Sequence, residues 1–382
     1  MPDPAFDQIS AGTIADIRDD VVVDMFFVEE TTQRKLRASG ALEEFLGGTL
    51  MQEPFIYNRV QGGAIAPGSS ITPVQVPVLA ATGFLPRLYV ETIPLNLWQT
   101  NVINNGPAAK VKLTDLYMTI AVQALNTDLG IDFWRHGQAS GTGITDNRLI
   151  YINGAAEAMN DGINNSWDGN YFTSYGGQTR NGAVGNVLNS IPKWLGDQAG
   201  ATGQISYKPV IEGYLECVQP PTISICNKAL YSYLLERQEA KQQFTQEKDL
   251  SIGLTGIKFM ESYIHVDKLC PSTKYGGILP SGLSQTTAVT PAAFTSATLT
   301  AAQVAVSNLP SATSITPGEI LFHIRAEDWK IRPAAAEEYN FNFTPPIRSQ
   351  TEPDLIVMFL KAGINIYCTV PRNSMHMYGA GF

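Results

Sequence analysis

The sequence predicts an α+β fold organised around a single long helix. Three observations predict it. Residues 113–135 carry apolar side chains at three-and-four spacing over an unusual length. A glycine- and proline-broken stretch at 61–95, with alternating valines, precedes them and reads as an extended hairpin. After them, short strand signals flank a capped helix, and further strands close the chain at 319–382. A chain of 382 residues buries a large core and is expected to form two or three domains.

Residues 1–60 read as an amino-terminal arm. Ser10 or Thr13 is placed to cap a short helix, and 21–27 is apolar among Asp19, Asp20 and Asp24. A second helix is expected over 31–45, ending before Gly47-Gly48. Such an arm lies on another surface or packs as a helical subdomain. In the hairpin loop at 61–95, Val74, Val76 and Val78 alternate with Gln75 and Pro77, and 89–93 resumes the alternation. Pro77 places its strand at an edge, which a neighbour would have to cover.

The third region, 96–204, holds the spine helix at 113–135. Leu113, Leu116, Tyr117, Ile120, Ala121, Ala124 and Leu125 form its apolar set; Thr114 or Asp115 caps it, and Gly137 lies just past its end. At about 1.5 Å per residue it would run roughly 30 Å. A strand then enters a short helix through Gly154, followed by the loop-like SWDGNYFTSYGGQTRNG. The fourth region, 205–318, begins with a helix to 217, stopped by Pro220-Pro221. A strand at 222–225 follows, then a helix capped by Asn227 and return strands around 257–266. Its last part, 275–318, contains no Asp, Glu, Lys or Arg and reads as an exposed excursion. The closing region supplies strands at 319–324, 329–331, 355–360 and 364–369, with the last two expected to turn across Lys361, Ala362 and Gly363.

Composition narrows the function. Charged residues make up 16% of the chain, the formal net charge is −9, and no Lys/Arg run stands out, so a dedicated nucleic-acid groove is not expected. Cys217, Cys226, Cys270 and Cys368 lack metal-ligand spacing and read as reduced, partly buried thiols. The opening residues do not form a signal peptide, and no apolar run is long enough to cross a bilayer.

Catalytic motifs are missing: there is no phosphate loop, nucleophile elbow or paired-histidine metal motif. Gly137, Gly141 and Gly143 lack the strand-to-helix context of a dinucleotide loop. Asn164, Ser166, Asp168 and Gly169 resemble the start of a calcium loop, but its twelfth position is Tyr175 instead of Glu. His136, His265, His323 and His376 stand alone, with structural roles expected for the strand histidines His265, His323 and His376. Glu43-Glu44 and Glu337-Glu338 are sequence neighbours and so do not share a face. No catalytic, cofactor-binding or metal residue is nominated, no cofactor is expected, and an enzyme is not expected.

The order of these elements resembles the major capsid proteins of tailed double-stranded DNA bacteriophages. Four stretches carry the likeness. They are KLTDLYMTIAVQALNTDLGIDFWRHG; NRLIYINGAAEAMNDG with SYGGQTRNGAVGNVLNSIPKWLGD; ISYKPVIEGYLECV with TISICNKALYSYLLERQEAKQQF; and ITPGEILFHIRAEDWKIRP with LIVMFLKAGINIYCTVPRNSMHMYGA. The resemblance implies that fold, with an arm, an extended loop, a peripheral domain holding the spine and an axial domain. It further implies a virion shell subunit, assembled in the host cytoplasm, that partners itself in hexamers and pentamers around packaged double-stranded DNA. Portal, scaffold and cement proteins are its implied further partners, and no membrane is.

Arg59, Arg87, Arg180, Arg348 and Arg372 are the arginines to consider for inter-subunit pairs. Two features depart from the family pattern. The helical scaffolding segment that some relatives carry before the arm is not expected here, and no lysine lies between Arg37 and Thr100 to serve as a loop crosslink donor. The alternatives are the shell of a protein-cargo nanocompartment with the same fold, or another virion part such as a tail-tube or decoration subunit.

Overall fold

The computed structural model describes residues 31–56, 64, 66, 77–97, 107–137, 151–164, 166–167, 171–180, 186–190, 192–195, 207–239, 246–249, 254–271, 294–295, 314–315, 319–348 and 354–379. In chain order the elements are α1 (Thr31–Ala38), β1 (Met51–Ile56), β2 (Leu79–Phe84), β3 (Arg87–Asn96) and the long helix α2 (Pro107–Phe133). Next come α3 (Ala155–Ala158), β4 (Ser174–Tyr175), β5 (Gln178–Thr179), β6 (Lys193–Trp194), α4 (Tyr207–Glu216), β7 (Ile223–Cys226) and α5 (Lys228–Glu239). β8 (Gln246–Asp249), β9 (Leu254–Phe259), β10 (Ser262–Val266), β11 (Phe294–Thr295), β12 (Ser314–Ile315) and β13 (Glu319–Ile324) follow. The chain closes with β14 (Trp329–Pro333), β15 (Asn342–Phe343), β16 (Ile347–Arg348), β17 (Leu355–Cys368) and β18 (Met375–Gly379).

The long helix starts six residues earlier than the apolar pattern indicates, with Pro107 in its first turn, where a missing N–H costs nothing. Its 27 residues span about 40 Å. Met118, Ala121, Val122, Leu125 and Leu129 form the buried stripe, while Ile120, grouped with them by spacing, is half exposed. Helix α1 ends at Ala38, short of the expected 45. Gly40, at φ 81°, takes the left-handed conformation, and the amides of Gly40 and Ala41 close back onto Arg37 and Leu36. The chain then runs as an extra edge beside β14, with parallel bridges Leu42 to Ile331 and Phe45 to Ala334. Residues 31–56 therefore pack on their own subunit, whereas 1–30 lie outside the described residues.

Two expected strand pairings are corrected. β2 pairs antiparallel with β1, from Met51 opposite Phe84 to Ile56 opposite Leu79, so the extended pair is built from 51–56 and 79–84. The 89–93 stretch lies in β3 and pairs with β17 instead. The expected turn at Lys361–Gly363 does not form, because β17 is one continuous strand of 14 residues. β3 covers it from Leu355 to Ile364 and β14 pairs from Ile364 to Cys368, leaving no break in the ladder. Gly363 serves close packing: a Cβ there would meet the Cβ of Ala334 at 3.2 Å.

The other sheet has seven strands in the order β6-β18-β13-β7-β10-β9-β8. Its interior strand β13 reads EILFHI and is buried on both faces, which is why it shows no polar alternation. Ile320, Phe322 and Ile324 enter the large core with Trp134, Trp167 and Trp329. Leu321 faces a smaller core formed with Val210 of α4, Leu230 and Leu234 of α5, and Met377. Asn227 caps α5 as its sequence indicates, accepting the Leu230 amide at 2.8 Å. Within 275–318 the described residues form the short antiparallel pair β11–β12.

Candidate functional site

The exit of α2 is a heavily bonded polar region of the core. The chain at 152–154 crosses the end of the helix so closely that a Cβ on Gly154 would lie 2.5 Å from the carbonyl oxygens of Asp132, Phe133 and Arg135. Gly137 is constrained in the same way against Ile152 O, so this glycine serves packing. Beside the crossing, Glu157 is fully buried; Asn153 Nδ2 donates to both its oxygens, at 2.9 and 3.0 Å, and Gly137 N donates at 3.1 Å. Burial pushes its carboxyl up despite these donors.

Arg180, from the GGQTRNG segment, is buried as well. Its guanidinium donates to Leu188 O at 2.8 Å, Glu157 O at 2.7 Å and Ala158 O at 2.8 Å, closing the carbonyl end of α3. It stacks 4.6 Å over the Tyr175 ring, and burial lowers its pKa to about 10. Tyr175 Oη donates to Cys368 O and accepts from Cys368 N, both at 2.9 Å. Asn365 Nδ2 donates to Asn153 Oδ1 at 2.8 Å and to Leu85 O at 2.8 Å. These groups satisfy one another and tie the spine exit to β17. Chemically the arrangement is a joint.

A second polar cluster lies where α2 packs on β3. Tyr89 Oη donates to Asp132 Oδ2 at 2.8 Å and accepts from Ile152 N at 3.2 Å. Arg135 stands 3.5 Å from the other Asp132 oxygen. One turn away, the half-buried Glu91 and Asp128 carboxyls lie close enough to act on each other electrostatically. Desolvation, reinforced by Asp128, raises Glu91 to about 7. Desolvation also raises Asp132 to about 6, and Asp128 moves in the same direction.

The surface carries apolar groups available for contact. A groove of about 330 Å³ is lined by Phe45, Leu46, Pro86, Leu88, Ala336 and Tyr339, with Leu46 88% exposed. Ile56 and Leu79, opposite each other at the outer end of the β1–β2 pair, are both largely exposed. Ile211, Leu215 and Val218 make an exposed line along and just beyond α4. Scattered apolar residues are ordinary on surfaces, but aligned sets of this kind mark contact sites.

Arg87 and Arg180 are buried and serve the interior, which removes both from the inter-subunit candidates. Arg348 is exposed, Arg372 is half-buried, and Arg59 lies outside the described residues. All four cysteines are free and buried, and burial raises the Cys217 thiol to about 12. Asn164 and Ser166 of the calcium-like stretch are buried; Asp161 accepts from the Asn164 amide at 2.8 Å, making a turn, while Asp168 and Gly169 lie outside the described residues. Gly141 and Gly143 do too.

His265, His323 and His376 are buried in strands, and His136 packs 5.2 Å from Phe172. Among the described residues, no three metal-capable side chains converge. No described helix is long and apolar enough to cross a membrane. Glu43 bonds outward to Arg332 at 2.9 Å and Lys330 at 3.4 Å. Sequence reading missed the acidic cluster. Its signal was present as Asp128 and Asp132 at i,i+4 on one helix face, and Tyr89 and Glu91 at i,i+2 on one strand face.

No protein-family profile and no curated protein matches the chain. Solved structures do. The capsid subunit of cyanophage A-1(L) aligns over 92% of this chain and 93% of its own, at 12% identity and a TM-score of 0.55. A Mycobacterium phage Ogopogo structure covers 90% and 91%, at 11% identity and a TM-score of 0.49. The encapsulin complex of Synechococcus elongatus covers 88% and 84%, at 6% identity and a TM-score of 0.43. The fold of this chain is that of tailed-phage major capsid proteins.

Proposed function

We propose that the chain is the major shell subunit of a tailed-phage head, assembling into hexamers and pentamers around double-stranded DNA. The observation that supports this reading is the near-complete alignment with the cyanophage A-1(L) capsid structure, over 92% of this chain and 93% of that one. A free β1–β2 pair with Ile56 and Leu79 exposed is a liability in a monomer and an asset in a shell, where a neighbour covers it. Symmetry multiplies modest contacts, so no single interface needs to be strong.

The arm, the loop between β1 and β2, and the seven-stranded sheet with α4 are the parts assigned to contacts between copies. Portal, scaffold and cement proteins are the further partners, and the virion is the location. The net charge of −9 suits a shell that surrounds DNA without reading its bases. In this role the protein carries out no catalysis.

Electron microscopy and sedimentation of the full chain, expressed with and without its phage neighbours, test the proposal. Closed shells that hold DNA in infected cells are expected. Shells that enclose protein cargo would instead identify a nanocompartment, stacked rings a tail tube, and small oligomers under every condition would overturn the shell reading.

A further inference from the structure

We propose that Arg332 is an ionic staple across a two-glycine hinge: it holds the β1 side of the projecting β1–β2 pair against the body, and its release lets the pair turn about its β2 side. One guanidinium nitrogen, Arg332 Nη2, lies 2.9 Å from Glu43 Oε2 and 2.9 Å from Glu53 Oε1. Glu43 is on the stretch that runs beside β14, where its amide donates to Ile331 O at 3.0 Å. Glu53 is on β1. Arg332 itself stands on β14, which pairs with β17, so the staple joins a point fixed to the sheet to a point on the projecting pair.

Between the two carboxylates the chain is built to bend. Residues 46–50 are all exposed, and Gly47 and Gly48 have φ of 130° and 115°, which residues with a side chain rarely adopt. A Cβ on Gly47 would meet nothing within 4 Å. The β2 side is fastened by different chemistry. Phe84 stacks on Tyr367 at 4.2 Å, with the rings 13° from parallel, and meets Tyr175 edge-on at 5.1 Å. Gly83 N donates to Gly176 O and Gln178 Nε2 to Ala81 O, both at 2.9 Å. Just past β2, Asn365 Nδ2 donates to Leu85 O at 2.8 Å. All of these groups are uncharged. They attach the pair along its β2 edge as an axle does, and Arg332 holds the opposite edge.

The two chemistries set the order in which the sides part. The Arg332 and Glu53 side chains are each 16% exposed and that of Glu43 is 49% exposed, so water and salt reach the staple. Stacked rings and neutral hydrogen bonds feel no such screening. Two neighbours assist: Tyr367 Oη donates to Glu53 Oε1 at 2.9 Å, and Lys330 Nζ lies 3.4 Å from Glu43 Oε2. Tyr367 reaches the projecting carboxylate and Lys330 the fixed one; of the three, Arg332 alone touches both. Raised salt therefore loosens the β1 side before the β2 side. The staple belongs to the single subunit, so it stands or falls apart from the shell reading.

Pulsed dipolar spectroscopy of the full-length chain as free subunits tests the staple, with spin labels at Ile56→Cys on the outer end of β1 and Glu338→Cys on the body, both exposed positions. The four native cysteines are buried, which leaves the two new thiols as the labelled pair. At low salt one narrow distance distribution is expected. Arg332→Gln should add a second, displaced population and raise the open-to-closed ratio by about fivefold, the order of one partly exposed ion pair. Salt should move the protein with native Arg332 the same way and leave Arg332→Gln unchanged. A single unshifted distance in Arg332→Gln, or a variant that responds to salt as the native residue does, would overturn the proposal. Should Arg332→Gln fail to fold, the salt titration with native Arg332 decides: a salt-driven second population supports the staple, and a distribution that stays narrow up to about 1 M salt rejects it.

Discussion

Asp267 caps the first turn of a helix at Thr32, 235 residues before it in the chain. Its Oδ2 accepts the backbone amide of Thr32 at 3.2 Å together with the Thr32 hydroxyl, and its Oδ1 accepts the Leu269 amide at 2.8 Å. A first-turn amide of α1 is thus satisfied by a carboxyl at the end of β10, which fastens the described part of the arm to the seven-stranded sheet. Asp267→Ala leaves buried donors without a partner and should cost about 1–3 kcal/mol in denaturant unfolding. Asp267→Asn keeps one acceptor and should cost less. Equal midpoints for wild type and Asp267→Ala would show that the cap does not stabilise α1.

Arg180 makes a stronger demand. Its charged fork meets the carbonyls of Leu188, Glu157 and Ala158 inside the core. Arg180→Met strips that charge and strands the three carbonyls, and should cost about 3–5 kcal/mol, enough to prevent folding in many proteins of this size. Arg180→Lys should recover little, because an ammonium cannot reproduce the planar fork. Glu157→Gln should be far milder, since burial already favours its neutral form. Denaturation midpoints rank the three; an Arg180→Lys protein as stable as wild type would contradict the fork.

How far the sequence reached follows the range of the interactions. Asn227 and its helix, the strand 319–324 and the existence of the spine helix rest on local rules of capping and periodicity, and the structure has them. The pairing of β1 with β2 and the straight passage of β17 through Gly363 depend on which strands arrive from elsewhere. A Lys-Ala-Gly stretch has the same composition whether it turns or lies under a neighbouring ladder. Arg87 and Arg180 were misplaced for a related reason: a surface arginine and one enclosed by distant carbonyls look alike in one dimension. The likeness to capsid subunits survived these errors because it rested on the order of elements.

Two buried histidines give the fold an acid limit. Burial lowers His323 to about 4 and His376 to about 3, against 6.5 when exposed. His323 sits 2.7 Å from Ser224 Oγ, and His376 packs edge-on to Trp167 at 5.2 Å and Tyr378 at 5.0 Å. Both fold as neutral rings, so the unfolded chain binds more protons below pH 6.5 and stability falls from there toward pH 4 and 3. His376→Phe should reduce the loss in melting temperature between pH 6.5 and 4 relative to wild type. Parallel wild-type and variant profiles would remove His376 from the acid response.

The loop joining β1 to β2 allows fold and assembly to be separated, provided that the cut respects β2. A deletion of 64–82 would take Leu79–Thr82 with it and undo the register in which Ala81 pairs with Pro54. Replacing only 61–76 with a short Gly/Ser linker leaves β2 complete. Phe84 then keeps its stack on Tyr367 at 4.2 Å and its edge contact with Tyr175 at 5.1 Å. Loop closure changes by less than about 1 kcal/mol for such a shortening, so the subunit should melt close to wild type. If the loop reaches a neighbour, as the shell reading requires, the same variant should sediment as free subunits or small oligomers under conditions in which the wild type closes. A variant that folds normally and still forms complete shells would separate the loop from assembly. One that fails to fold would show that 61–76 contributes to the subunit's own core.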